Sequence, residues 1–270
     1  MGKRLGQHFL KDKKALKKIV AALELKSSDV VVEIGPGHGE LTKFLLQANP
    51  KKIIAIEKDL TLATKIQAQV ASSKSSMVQI IEGDALKVLP LLDTKYDIQN
   101  TKYKLVGNIP YYITGYLLRI IGELERKPKL IILTLQKEVA ERLTGKMNIL
   151  AASVGFWGKP EIIGYISKKS FRPQPKVDSA IIKIVAKSRR SLKNSDEIYY
   201  GLIRILFKQP RKTILNNLSD GLGIAKKEVE EELERLGFEP KSRGESLTLA
   251  KITELTASPL LKRAIIKRKT

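Results

Sequence analysis

Three apolar runs in this chain end in residues that could hold a nucleoside. VVVEIGPGHGEL closes its run at Glu33–Ile34 and follows it with Gly35, Gly37 and Gly39. Glycines suit a turn where the backbone takes positive φ or approaches a ligand closely. IIAIEKD places Glu57 and Lys58 at the end of the next run, twenty residues beyond Gly37. A carboxylate there can accept both hydroxyls of a ribose lying along the strand tips. QIIEGDAL ends in Asp84, which could accept from an exocyclic adenine amine while the Ala85 backbone reaches the ring edge. Each signal has a plainer reading: a strand-to-helix turn for the glycines, and helix caps for Glu57 and Asp84, with Asp59 the better cap beside Glu57. A dinucleotide site has a similar outline. The G-x-G-x-G spacing, and the lack of residues for hydride chemistry, lean away from it. A fourth run, KLV at 104–106, passes into GNIPYYIT, with Asn108, Ile109, Pro110, Tyr111 and Tyr112 in succession. An ordinary turn followed by core tyrosines would look the same.

For these residues to meet, their strands must lie side by side. Val30–Ile34, Lys52–Ile56, Val78–Ile81, Tyr103–Val106 and Leu130–Leu133 are short and β-rich, apolar enough for a sheet covered on both faces. Helical periodicity fills the intervals, at roughly 11–24, 39–48, 59–71, 113–123 and 136–143. The alternation predicts an α/β fold, a doubly wound parallel sheet. Runs at 160–166 and 179–186 bracket a proline-rich loop and are expected to close the same sheet. Beyond SRRSLKNSDE the pattern is helical, which predicts domains at 1–187 and 188–270, the second small and all-α.

The balance of charge points to a partner. Among 270 residues, 50 Lys and Arg stand against 28 Asp and Glu, a formal net charge of +22. Cations in such excess suit a polyanion, because neutralised phosphates release their counterions; a solvated basic surface is the bland alternative. Residues 1–20 hold seven basic side chains against Asp12, and 241–270 hold eight against Glu245 and Glu254. An unstructured tail, KRAIIKRKT, would also account for the second excess. With no cysteine there is no disulfide, thiolate nucleophile or Cys-bound metal, and two histidines, His8 and His38, make a His-based metal cluster improbable. No metal is therefore expected. No apolar run approaches the roughly 20 residues of a membrane span. The expectation is a protein without a membrane partner, cytoplasmic and by default monomeric.

The glycine turn, Glu57 and Asp84 together resemble the S-adenosylmethionine site of class I (Rossmann-like) methyltransferases. NIPY resembles the N-[ILP]-P-[YF] motif of enzymes that methylate exocyclic amines of nucleobases. Adenine N6 is a poor nucleophile because its lone pair is delocalised into the ring. Accepting both its hydrogens, at the Asn108 amide oxygen and the Ile109 carbonyl, would favour a pyramidal nitrogen; Pro110 would aim that carbonyl, and Tyr111 could stack on an extruded base.

With GQHFLKD (6–12), LQKEVAERL (135–143), FRPQPKVDSA (171–180) and FKQPRKTILNNL (207–218), the chain closely resembles the KsgA family of small-subunit rRNA adenine N6,N6-dimethyltransferases, from its start to about residue 218. The resemblance implies S-adenosylmethionine as methyl donor and a cofactor set of His8, Leu10, Gly35, Gly37, Glu57, Lys58, Asp84, Ala85 and Asn108. His8 stands where the family often has Asn. Catalytic roles would fall to Asn108, Ile109, Pro110, Tyr111 and Phe171, the last stacking on the adenine opposite Tyr111. The implied substrate is a pair of adjacent adenines in a hairpin loop near the 3′ end of small-subunit rRNA, within a forming small ribosomal subunit. Lys208, Arg211 and Lys212 are expected to contact RNA phosphates. Two other readings share parts of this pattern: a large-subunit rRNA methyltransferase of the macrolide-resistance type, which FKQPRKTILNNL disfavours, and a non-catalytic ribosome-assembly factor, which an intact NIPY with Glu57 and Asp84 disfavours.

Overall fold

A computed structural model describes residues 7–71, 77–96, 98, 102–187 and 193–268. Its strands are β1 (Phe9–Leu10), β2 (Val30–Ile34), β3 (Lys52–Glu57), β4 (Val78–Glu82), β5 (Tyr103–Asn108), β6 (Leu130–Gln136), β7 (Gly158–Ile166), β8 (Phe171–Arg172) and β9 (Ser179–Ala186). Seven of them form one sheet in the order β4-β3-β2-β5-β6-β9-β7. From β4 to β6 all neighbours are parallel, and β9 runs antiparallel to both β6 and β7. The parallel strands read as continuous apolar runs because both faces are covered: every residue of β2 is buried.

The helices that alternate with these strands are α1 (Lys13–Ala22), α2 (Glu40–Gln47), α3 (Leu60–Ala71), the short α4 (Ala85–Val88) and α5 (Leu92–Lys95), α6 (Thr114–Glu123) and α7 (Lys137–Thr144). Their starts are written locally. Asp12 caps α1 by accepting from the Lys14 and Ala15 amides at 2.8 and 3.2 Å. Asp59 caps α3 by accepting from Leu62. Leu16 and Ile19 of α1 pack with Leu45 and Val31 in one core cluster, each such side chain contributing about 1.5–3 kcal/mol by leaving water.

At the other end of the sheet from the glycine turn lies a buried charge cluster that the apolar pattern hides. Lys104, inside β5 and 4% exposed, places its ammonium 2.7 Å from Asp29 Oδ2 and donates to the Leu23 and Glu24 carbonyls at 2.7 and 2.6 Å. Three donors thus meet three acceptors. Lys129 holds the second Asp29 oxygen at 2.8 Å. Burial alone would raise the Asp29 pKa; the hydrogen bonds from both lysines reverse that and bring it to about 2.

The chain divides into two compact units, Met1–Glu141 with Gly158–Lys187, and Arg142–Trp157 with Ser188–Thr270. The second contains α8 (Ile149–Trp157), α9 (Lys193–Leu206), α10 (Ile214–Leu222), α11 (Lys226–Arg235), α12 (Leu249–Leu255) and α13 (Pro259–Lys267). It differs from the expected 188–270 by claiming Arg142–Trp157. The cause is packing: the Phe156 and Tyr199 rings stack at 3.8 Å, the Tyr199 hydroxyl donates to the Ala152 carbonyl, and Ala152 and Phe156 belong to the helical core. The alternative of an unstructured basic tail does not hold for the described residues, since α13 runs to Lys267 and buries Leu261 and Ile265. Among the described residues of this unit the one β contact is an isolated bridge between Thr213 and Arg243.

Candidate active site

Strand register assembles the site. Ile34 pairs with both Ile56 and Gly107, and Glu57 with Glu82, so β2 to β5 end in line. β2 lies between β3 and β5, where the strand order reverses and open α/β sheets form their ligand crevice. Gly107 permits this packing: a Cβ there would fall 2.8 Å from the Ile34 carbonyl oxygen. The residues just past these ends line a cavity of about 830 Å³, counting its open mouth. Gly35, Gly37, Glu57, Lys58, Asp84, Ala85, Asn108, Ile109, Pro110, Tyr111 and His8 all face it.

Glu57 braces the glycine turn. Its Oε2 accepts from the Gly37 amide at 3.0 Å and its Oε1 from the Asp59 amide at 2.9 Å. Gly35 and Gly37 have φ of +64° and +61°, a region that disfavours side chains. The nearest atom to a Cβ on Gly35 would be the Asn108 carbonyl oxygen at 4.0 Å. Asp84 plays the cap that the plain reading allowed, accepting from Leu86 at 3.0 Å, and also pairs with Lys58 at 2.8 Å. Burial raises its pKa, but the Lys58 and Leu86 hydrogen bonds prevail and hold it below the usual carboxylate range.

At the end of β5, the Asn108 side-chain nitrogen donates to the His8 carbonyl at 2.7 Å. The Ile109 amide donates to Thr134 at 3.3 Å, and Pro110 follows with ψ of 130°. Tyr111 is anchored through its hydroxyl to Ser179 at 3.0 Å, and burial pushes its pKa up. The ring facing Tyr111 is His8, centroid to centroid 5.9 Å and inclined 29°. His8 is in turn fixed by its Nδ1 against the Pro173 carbonyl at 2.8 Å, an acceptor that requires the nitrogen to donate.

Two expected site residues lie elsewhere, for one reason. β1 and β8 form a two-stranded antiparallel ladder pairing Leu10 with Phe171 and Phe9 with Arg172. Directly opposed residues share a face and successive ones alternate. Leu10 and Phe171 therefore point together into the core, at 4% and 1% exposure. In this structure Phe171 offers no open face to a base, and Leu10 borders a small recess that shares Phe9, Gly35 and Asn108 with the cavity. The residue turned to the cavity is Phe9, whose ring atoms would lie 2.6 Å from a Cβ on Gly37. Sequence reading missed Phe9, although it sits between His8 and Leu10 in GQHFL. It also missed Glu33, at 1% exposure. Thr42 donates to its Oε2 at 2.8 Å, while Oε1 has no hydrogen-bond partner among the described residues. Burial pushes its pKa up to about 8.

Lys208, Arg211 and Lys212 lie exposed in the connection between α9 and α10. Asn217 braces that connection, accepting from the Gln209 amide at 3.2 Å and donating to its carbonyl at 3.0 Å, and Lys212 pairs with Asp220 at 3.0 Å.

A parallel sheet that brings a glycine turn, a bracing glutamate, a capping aspartate and an asparagine-proline-tyrosine turn to one cavity defines a class I methyltransferase. The family model for ribosomal RNA adenine dimethylase matches residues 1–254. The ribosomal RNA small subunit methyltransferase A of Dehalococcoides mccartyi is 40% identical over 251 residues, 92% of this chain and 84% of the relative. That of Clostridium botulinum is 35% identical over 262 residues, 94% of this chain and 92% of the relative. Among solved structures, a dimethyladenosine transferase from Plasmodium falciparum is 29% identical with a TM-score of 0.76, covering 92% of this chain and 96% of that one. The 23S rRNA methyltransferase ErmE, 22% identical with a TM-score of 0.70 over 96% and 99% of the two chains, shares the fold. This chain belongs to the ribosomal RNA adenine dimethylase family and is an S-adenosylmethionine-dependent methyltransferase. The cavity fits that cofactor on its own geometry: Gly35 and Gly37 line it at a turn braced by Glu57, and a Cβ on Gly35 would meet no atom closer than 4.0 Å.

Proposed function

We propose that this protein dimethylates the N6 amines of two adjacent adenines in the 3′-terminal hairpin loop of small-subunit rRNA, acting on a partly assembled subunit as a cytoplasmic monomer. The observation that carries the reading is the Asn108 amide. Because a carbonyl only accepts, the His8 contact fixes which end of the amide is nitrogen and leaves Oδ1 to take a hydrogen from the substrate amine. The Ile109 carbonyl, in the peptide that Pro110 stiffens and beside the Ile109 amide held by Thr134, would take the other hydrogen. Tyr111 would support the extruded base, its phenol kept neutral and tethered to Ser179.

Gly35, Gly37, Glu57, Asp84 and Phe9 would hold S-adenosylmethionine, with Glu57 toward the ribose and Asp84 toward the adenine amine. The cofactor supplies a methyl group activated on a sulfonium. What the chain adds is position, since displacement from such a centre is governed by alignment and the amine proton can leave afterwards. Lys208, Arg211 and Lys212 would grip phosphates, in keeping with the net charge of +22.

The test is transfer of label from S-adenosylmethionine to undermethylated small subunits and, separately, to large-subunit rRNA. Dimethyladenosine in small-subunit rRNA alone is expected. Label confined to large-subunit RNA would overturn the substrate assignment.

A further inference from the structure

NIPYYIT contains a second tyrosine that the reaction leaves without a task. Tyr112 is 65% exposed, and one helical turn further along Tyr116 is 49% exposed. Neither phenol belongs to a hydrogen bond among the described residues. The buried side of α6 is made by Thr114, Leu117, Leu118 and Ile121. Its open side carries Gly115, Tyr116 and Arg119, and Tyr112 stands exposed just before it in the 3-10 turn Tyr111–Ile113. The Arg119 guanidinium lies over the Tyr116 ring, 4.9 Å from its centroid, and pairs with Glu123 at 3.4 Å.

Two features connect this face to the active site and to a nucleic acid. Tyr112 lines the cavity mouth together with Lys58 and lies within electrostatic range of its ammonium, so the ledge begins where the cavity ends. Gly115 lies between the rings without an internal reason to be glycine: a Cβ there would meet nothing within 4 Å, and its φ is not positive. A position left bare between two exposed rings suits something flat that approaches from outside.

Aromatic faces interleaved with arginine and lysine are the chemistry that recognises single-stranded nucleic acid, where each base stacks on a ring and cations follow the backbone. We infer that Tyr112, Tyr116 and Arg119 form a stacking ledge for the nucleotide next to the one in the cavity, so that one adenine waits on α6 while its neighbour is methylated. This rests on the proposed substrate of two adjacent adenines. The ledge makes the substrate a dinucleotide unit, with one base extruded into the cavity and its neighbour held flat at the mouth. An apolar protein partner is less suited, because the face is flanked by Arg119 and Lys58 and the chain carries a large positive charge.

The test compares Tyr116→Phe, Tyr116→Leu and Gly115→Leu with the unaltered protein on undermethylated small subunits. Methyl-donor affinity serves as the check on folding. Tyr116→Phe keeps a stacking ring and is expected to retain its KM. Tyr116→Leu is expected to raise KM for the subunit about tenfold, the order seen when a stacked base loses its ring. It should also shift the product from both adenines modified toward one. Gly115→Leu favours the helix by propensity and still obstructs the ledge, so a raised KM in that variant cannot come from unfolding. A fluorescent 2-aminopurine placed beside the target adenine should be quenched by the unaltered protein and less by Tyr116→Leu. Unchanged KM, product ratio and quenching in both leucine variants would overturn the ledge. Reduced turnover with unchanged quenching would mean the face meets protein and would overturn it too. If the unaltered protein transfers no methyl to small-subunit rRNA, the proposed function itself fails.

Discussion

The side-chain amide of Asn108 donates to the backbone carbonyl of His8 across 2.7 Å, linking the end of β5 to the segment before β1. The bond orients the acceptor proposed for the substrate amine, and it uses a backbone atom of residue 8. Asn108→Ala is therefore expected to lower single-turnover methyl transfer by about 10²-fold or more, the scale of losing one positioned polar group at a reacting centre. Methyl-donor affinity should change far less. His8→Asn keeps the carbonyl and should retain most activity. Full turnover in Asn108→Ala would remove the amine-positioning role.

The β1–β8 ladder separates neighbours in sequence into different tasks. Leu10→Ala and Phe171→Ala empty core volume and should cost about 2–5 and 3–5 kcal/mol of stability in denaturant titrations. Phe9→Ala should leave stability closer to the unaltered protein and weaken methyl-donor binding, read by calorimetry. Equal stability losses at Phe9 and Phe171 would contradict the division of faces.

Strand ends were legible from sequence because each parallel strand is a continuous apolar run closed by a polar or glycine residue. Register then carried Gly35, Glu57, Asp84 and Asn108 to one cavity. What stayed hidden depended on contacts distant in sequence. A ladder of two residues is too short to show alternation, so nothing in GQHFL or FRPQP revealed that Phe9, and not Leu10 or Phe171, faces the cavity. α8 was invisible as part of the helical unit, since its assignment follows from Phe156 stacking on Tyr199. Glu33 and Lys104 sit in strands that read as apolar, and only burial shows what their charges require.

Glu33 predicts an unusual pH dependence. Burial raises its pKa from 4.5 to about 8, so between those values the folded protein holds a proton that the unfolded chain releases. Its contribution to stability is full below pH 4.5 and is lost as pH rises through 8. One such proton gives a slope of about 1.4 kcal/mol per pH unit inside that window. Glu33→Gln mimics the protonated form and should stabilise the protein at pH 8 and not at pH 5. Parallel stability curves for the two proteins from pH 5 to 8 would show that Glu33 is ionised in the fold.

Asp29 behaves with the opposite sign. Its pKa lies at about 2, so its contribution is present above its ordinary value of 3.8 and disappears as pH falls toward 2. Lys104→Met removes the fully bonded cation and leaves Asp29 to Lys129 and the Lys26 amide, which should cost about 3–5 kcal/mol. The cluster is remote from the cavity, so methyl-donor affinity measured well below the melting temperature should be retained. A stability loss under about 1 kcal/mol would mean that the pair is no better than a surface ion pair.

The connection from α9 to α10 gives a graded prediction for RNA. Lys212 already pairs with Asp220 at 3.0 Å, and Lys208 and Arg211 are exposed. Releasing Lys212 to a phosphate means giving up that pair, so its net gain on RNA is smaller. Lys208→Ala and Arg211→Ala should each flatten the dependence of log affinity on log salt by about 0.7–0.9, one phosphate apiece, and Lys212→Ala by less. Asp220→Asn should then strengthen RNA binding by freeing Lys212. Titrations at several salt concentrations read all four slopes, and a triple lysine and arginine replacement that left the slope unchanged would place the phosphate contacts elsewhere on the chain.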